Sequence, residues 1–259
     1  MAAAALERPD RFRIGKVFND TFAVIGRNPL LCLGLAVLFS GLPTLVFELW
    51  VQPLQASVGT GAANDATSGM MSRDSVISFG IWLISFALDL LLQSSLVRAT
   101  IEDLNGKQPS IGNCITIAIG CLFPTLGIGL LTILGAGLGL VLLIVPGIIL
   151  WLRWLVAVPV LVQERLGVLG SMARSKQLTE GSRWALFALF FIVLVAAVAM
   201  QMALASAVEP FGVVVVAVLG TLVSTISSMV MSIAAAVSYV ELRQVKEGTS
   251  VDELAEIFS

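Results

Sequence analysis

RFRIGKVFNDTFAVIGRNPLLCLGLAVLFSGLPTLVFELWV, residues 11–51, decides the fold. Within 12–27, Ile14, Phe18, Phe22 and Ile25 recur at helical spacing, with Val17 beside them and Arg13, Lys16 and Arg27 off the stripe. A helix of that kind lies on a lipid surface with its cations toward the headgroups. Asn28-Pro29 then opens an apolar run over 29–51, with proline in the first turn, where its missing N–H is no loss. A basic amphipathic helix feeding an apolar run is the start of a chain threaded through a bilayer, its basic flank held on the cytoplasmic side.

The rest of the sequence repeats the pattern. Apolar runs follow at 75–97, 112–143, 147–163, 184–208 and 211–239. Of the 15 Lys and Arg residues, all but Arg73 and Arg153 fall in alternate gaps between runs. Arg8, Arg11, Arg13, Lys16 and Arg27 precede the first run, and Arg98 and Lys107 follow the second. Arg165, Arg174, Lys176 and Arg183 follow the fourth, and Arg243 and Lys246 follow the last. Basic residues are retained on the cytoplasmic face during insertion, so six spans with both termini cytoplasmic are expected.

Composition excludes most alternatives. At 58% hydrophobic and 12% charged residues, with mean hydropathy +0.98, the chain is no water-soluble globule. Residues 1–259 read as one polytopic all-α membrane domain, a six-helix transmembrane bundle with interfacial amphipathic helices. No separate soluble domain, no cleaved signal in MAAAALERPDRFR (1–13) and no nucleic-acid-binding patch is expected. There is no histidine, which removes the commonest general base and a common metal ligand. An enzyme is therefore not expected, nor a metal or cofactor. Cys32, Cys114 and Cys121 lack metal-site spacing and read as packing residues.

Residues 112–143 are too long for one upright helix, since they would extend about 48 Å. Pro124 splits them into an oblique segment at 111–122 and a crossing at 125–143. The spans are thus 29–51, 75–97, 125–143, 147–163, 184–208 and 211–239. The turn LLIVPGII (142–149) has no polar side chain, so its tip around Pro146-Gly147 is expected inside the bilayer or beneath the 52–74 loop. Residues 167–181 read as a second interfacial helix with Leu166, Leu169, Met172 and Ala173 on its apolar face. Ser250-Val-Asp-Glu253 is a capping box ahead of a C-terminal amphipathic helix over 250–258. Trp50 and Trp151 are expected near the outer interface, Trp184 and Tyr239 near the inner one.

Three groups of residues are candidates for function. Asp89, Arg153, Glu48 and Glu164 are charges in or at the ends of spans, where a charge is expensive and is kept for a partner, water or a ligand. Asp89 and Arg153 are either a structural ion pair or part of a polar site. Arg11, Arg13, Lys16, Arg174, Lys176 and Arg183 form a basic rim suited to anionic headgroups, or to topology alone. Gly135 and Gly139, Ala199 and Ala203, and Gly220, Ser224, Ser228 and Ser232 repeat every four residues, as close helix packing requires.

Arg153-Trp154-Leu-Val-Ala-Val-Pro159-Val-Leu-Val-Gln-Glu164-Arg-Leu-Gly167, leading into Ala173-Arg-Ser175-Lys-Gln-Leu178-Thr-Glu-Gly181, carries a resemblance. Together with Asn28-Pro29, Val145-Pro146-Gly147 and the ending Tyr239-Val-Glu-Leu-Arg243-Gln-Val-Lys-Glu-Gly248, it resembles the bacterial group of glycerophosphodiester phosphodiesterase membrane domains and YciC-like inner-membrane proteins. The resemblance implies a six-helix bacterial inner-membrane fold. In fused members of that group catalysis belongs to a soluble barrel with histidine and carboxylate ligands, so no activity carries over to this histidine-free chain. The expected function is a non-enzymatic accessory, scaffold or assembly subunit of a membrane complex. Handling of a lipid or amphiphile is the alternative. Membrane lipids, and a membrane-protein partner or a second copy, are the expected partners.

Cysteine-accessibility labelling tests the topology. Single cysteines introduced at Arg13 and Lys246 should react from the cytoplasmic face only, and labelling of one from each face would overturn the six-span reading.

Overall fold

The computed structural model describes residues 12–51, 73–208 and 213–247. Among them the regular structure is entirely helical, and six segments are long and apolar enough to cross a membrane. The chain is a multi-pass α-helical membrane protein. The expected 250–258 helix lies outside the described residues, as do most of the 52–74 loop and Arg11.

Helix α1 (Ile14–Arg27) leads into span 1, which is not one regular helix. Helix α2 (Pro29–Ala36) passes into a π-turn at Val37–Gly41, then α3 (Leu42–Val46), then a second π-turn at Phe47–Val51. Span 2 is α4 (Arg73–Leu104), and α5 (Ile111–Gly120) follows. Span 3 is α6 (Leu122–Leu142), and span 4 is α7 (Ile144–Trp154) continued by α8 (Ala157–Glu164). Helix α9 (Gly167–Thr179) turns back, span 5 is α10 (Arg183–Val208), and span 6 is α11 (Val213–Glu247).

Two breaks follow from proline. Pro124 cannot donate to the carbonyl of Gly120, so α5 stops there and α6 restarts beyond Cys121, as the split at 111–122 anticipates. Pro159 likewise cannot donate to Leu155, and the chain interrupts span 4 between Trp154 and Ala157. The turn between spans 3 and 4 is tighter than the sequence suggests. Leu143 alone is extended, and Pro146 and Gly147 already belong to the first turn of α7. Val141 to Val145 form the tip and are 65–85% exposed, five consecutive apolar side chains turned away from the protein.

Glycine seats this hairpin. A Cβ on Gly139 would lie 2.9 Å from the Cα of Gly147, and one on Gly147 would lie 2.5 Å from the backbone nitrogen of Leu140. Gly135 receives the ring of Trp154, at 2.5 Å from where its Cβ would stand. Gly135 and Gly139 are therefore packing glycines, as the period of four predicts.

Span 6 is the axis of the bundle, packed against spans 1, 2 and 5 and against α1. The core is concentrated toward the end that carries α1 and the last turns of spans 2 and 6, and includes Val17, Val24, Leu35, Leu92, Leu96, Leu186, Leu189, Ile233, Tyr239 and Leu242. The opposite end, here called distal, is thinly packed. Along α10, Leu194, Val195, Val198, Met200 and Met202 are all exposed.

Four helix faces differ from the sequence reading. Helix α1 buries Val17, Thr21 and Val24 against the bundle with Ile14, Phe18 and Ile25 packed beside them, so its apolar stripe meets protein more than lipid and only Phe22 is exposed. Helix α9 is tucked against spans 3 and 4 through Ser171, Met172, Ser175, Leu178 and Thr179, leaving Leu166, Leu169 and Ala173 exposed. Its serine face can pack because Ser175 Oγ donates to the Arg153 carbonyl at 2.7 Å. On span 6 the buried positions are Thr221, Thr225, Met229 and Ile233, one residue on from the 220/224/228/232 stripe. Ala199 and Ala203 are exposed and make no packing stripe inside this chain.

Gly147→Ala should lower the thermal midpoint of the detergent-solubilised protein, at a cost of about 1–3 kcal/mol from overpacking against backbone. Gly137→Ala, where a Cβ meets nothing within 4 Å, should leave it unchanged or raised, and equal effects at the two positions would refute the close approach.

Candidate functional site

Toward the distal end, spans 1, 5 and 6 separate around a cavity of about 350 Å³. Its polar lining is Thr44 and Glu48 from span 1, Gln201 from span 5, and Thr221 and Ser224 from span 6, with Gly220 between them. Thr44 and Glu48 stand one helical turn apart, so both face the same side of span 1. Glu48 sits in the second π-turn, a widened helical form that frequently occurs at functional sites. Gly220 keeps the wall thin: a Cβ there would lie 3.7 Å from Gln201 Nε2.

Hydroxyls extend the polar surface inward. Thr221 is 4% exposed and Thr225, one turn deeper, is 2% exposed, and neither Oγ1 has a hydrogen-bond partner. Leaving a buried hydroxyl unsatisfied costs about 1–3 kcal/mol, so Thr221, which lines the cavity, is suited to a group the cavity receives. Thr225 Oγ1 also lies 3.2 Å from the position a Cβ on Gly41 would take, at the first π-turn. Ser224 Oγ donates to the Thr221 carbonyl at 2.9 Å, which leaves its lone pairs free to accept.

The two mid-span charges do not meet. Asp89 lies beside Ser40 of span 1 and is exposed. Arg153 belongs to the wall that α9 packs against, with its Nε buried and unpartnered. No ion pair joins them among the described residues. The nearby Trp151 packs edge-on to Phe190, two turns into span 5, with ring centroids 6.1 Å apart.

The opposite end of the bundle is held by ion pairs. Glu241 of span 6, 2% exposed, accepts from Lys16 Nζ at 2.5 Å, with Arg13 3.8 Å away. Asp103 accepts from Arg27 and, at 2.6 Å, from Asn28 Nδ2. That carboxylate raises the Arg27 pKa above its ordinary value. Glu102 accepts from Arg98 and Asn113, each at 2.8 Å. Glu164 accepts from Tyr239 Oη at 2.9 Å and Arg174 Nε at 3.2 Å, and Arg174 also pairs with Glu247.

Of the basic rim, Arg13, Lys16 and Arg174 are thus engaged by carboxylates of the same chain. Lys176 is exposed, and Arg183 has a buried, unpartnered Nε. Glu102, Asp103 and Glu241 lie just beyond the apolar runs that end at 97 and 239, and Tyr239, expected only as an interface aromatic, is the last residue of its run. Helices α4 and α11 run on to Leu104 and Glu247. A carboxylate within two turns beyond each apolar run was the available signal. Cys32 and Cys114 are buried, and burial, followed by Glu102, pushes the Cys114 thiol up to about 11. Both accord with packing. Ser232 donates to the Ser228 carbonyl at 2.8 Å, which satisfies its hydroxyl within span 6.

The fold and these sites define a polytopic helical membrane protein with an acidic cavity at one end and an ion-paired lattice at the other. No family model matches the chain, and comparison with curated proteins and solved structures found no significant match.

A double-mutant cycle tests the lattice. Lys16→Ala and Glu241→Ala should each destabilise the protein, with a coupling of about 0.5–3 kcal/mol. Additive effects in thermal unfolding would mean that the pair contributes nothing to holding α1 on span 6.

Proposed function

We propose that this chain is a non-enzymatic inner-membrane protein of the bacterial group it resembles, with cytoplasmic termini, and that it handles a lipid or other amphiphile. One observation carries the reading. Spans 5 and 6 wall both the polar cavity of Gln201, Thr221 and Ser224 and, nearer the ion-paired end, an apolar groove of about 290 Å³. The groove is lined by Phe18, Phe22, Val193, Met200, Ile226 and Val230 among others. An amphiphile needs one seat for its polar end and another for its tail, and this helix pair offers both. Binding sites of this kind are concave, mostly apolar and carry a few polar groups that fix orientation.

A second reading has its own support. The distal half of span 5 exposes Ala199 and Ala203 among large apolar side chains. Small residues allow close approach of another membrane helix, which supports the accessory or assembly role that the sequence led us to expect first. Native mass measurement after mild extraction separates the two, since a subunit should retain a partner protein or a second copy.

Filling the cavity tests the first reading. Gly220→Leu combined with Ser224→Leu should reduce co-purifying amphiphile, measured by lipid mass spectrometry, by about tenfold, the equivalent of one lost hydrogen-bonded contact set. An unchanged lipid complement on a folded double variant would refute it.

A further inference from the structure

We propose that the Glu48 cavity selects a primary ammonium group. This rests on the amphiphile reading and adds the chemistry of the headgroup.

The argument is one of charge and of donor and acceptor balance. Glu48 is the single charged residue lining the cavity, and no Lys or Arg lines it among the described residues. A cavity with one carboxylate and no cation repels an isolated phosphate or carboxylate and attracts a cation, most strongly where water is scarce. The remaining groups are rich in acceptors. Ser224 has spent its proton on the Thr221 carbonyl, so its oxygen faces the cavity as an acceptor. Thr221 Oγ1 is buried and without a partner, with lone pairs free for a donor. Gln201 offers an amide oxygen besides the NH2 that lies next to Gly220, and Thr44 a further hydroxyl beside Glu48.

A ligand complementary to that set is positively charged and brings several N–H donors. A primary ammonium brings three in a compact cation, and a quaternary ammonium brings none. The volume of about 350 Å³ exceeds what a bare ion needs and admits a small amine-bearing headgroup. Such an amine could arrive on a lipid or as a free solute, and the same ammonium chemistry would hold either.

The test uses the full chain in nanodiscs of equal parts phosphatidylglycerol and phosphatidylethanolamine, and in a matched set with phosphatidylcholine. After release into detergent, bound lipid is read by native mass spectrometry. The wild type should retain phosphatidylethanolamine about tenfold over either other lipid, as expected for a charge-assisted hydrogen bond. Glu48→Gln should abolish that preference, Glu48→Asp should keep most of it, and Thr221→Val should weaken it. Soluble ethanolamine is then added as competitor. Displacement assigns the site to a free amine and retention assigns it to the lipid, and both uphold ammonium selectivity. Equal retention of the three lipids by the wild type, or an unchanged preference in a folded Glu48→Gln protein, overturns the proposal. The amphiphile reading survives either result, because it falls only if filling the cavity leaves the retained lipid unchanged.

Discussion

Carboxylates at the ends of spans 2, 4 and 6 nearest α1 hold this bundle together, because each takes a cation from another element. Glu241 takes Lys16 and so docks α1 on span 6. Asp103 takes Arg27 and Asn28, joining span 2 to the start of span 1. Glu164 takes Tyr239 and Arg174, tying span 4 to span 6 and to α9. Near the water boundary such pairs keep part of their hydration, so their desolvation cost is smaller than in a fully buried pair. Inside a bilayer there is little hydrophobic drive to bring helices together, and packing and polar contacts have to do it.

The distal end is free to differ because the other end is fixed. With the core concentrated beside the ion pairs, spans 1, 5 and 6 can separate where few large side chains meet. The two π-turns of span 1 carry Ser40 toward Asp89 and Glu48 toward the cavity. A regular helix would present those residues at other angles, since a π-turn adds a residue to the local repeat. Polar surface in a membrane is costly, and here it is gathered into a few places: the cavity, the Ser40–Asp89 contact and the ion-paired end.

Much of the architecture is legible in the residues. Six apolar runs, the proline that divides 112–143, and the Gly135 and Gly139 spacing all reappear as spans, a break and a close helix approach. The errors are mostly rotations of a helix about its own axis. The small stripe at 220, 224, 228 and 232 and the buried face at 221, 225, 229 and 233 share one period and differ by about 100°. Both faces of span 6 are apolar enough for lipid or protein, so periodicity cannot choose between them. The same ambiguity moved the buried faces of α1 and α9. The ion-paired end is only partly legible for another reason: hydropathy ends before the helices do, and α4 and α11 continue into the polar zone.

Residue order by itself determined that this chain crosses a bilayer six times, because only a bilayer can accommodate that much continuous apolar helix. It also placed the cations at alternate gaps, a one-dimensional property that needs no neighbours to be read. Only the tertiary structure decided which carboxylate meets which cation, that Asp89 faces Ser40 instead of Arg153, and that Glu48, Gln201 and Thr221 share one cavity. Those residues are up to 173 positions apart in the chain, from Glu48 to Thr221. Their meeting depends on helix rotation and crossing, which are set by side-chain packing between spans and not by the order of residues along any one of them.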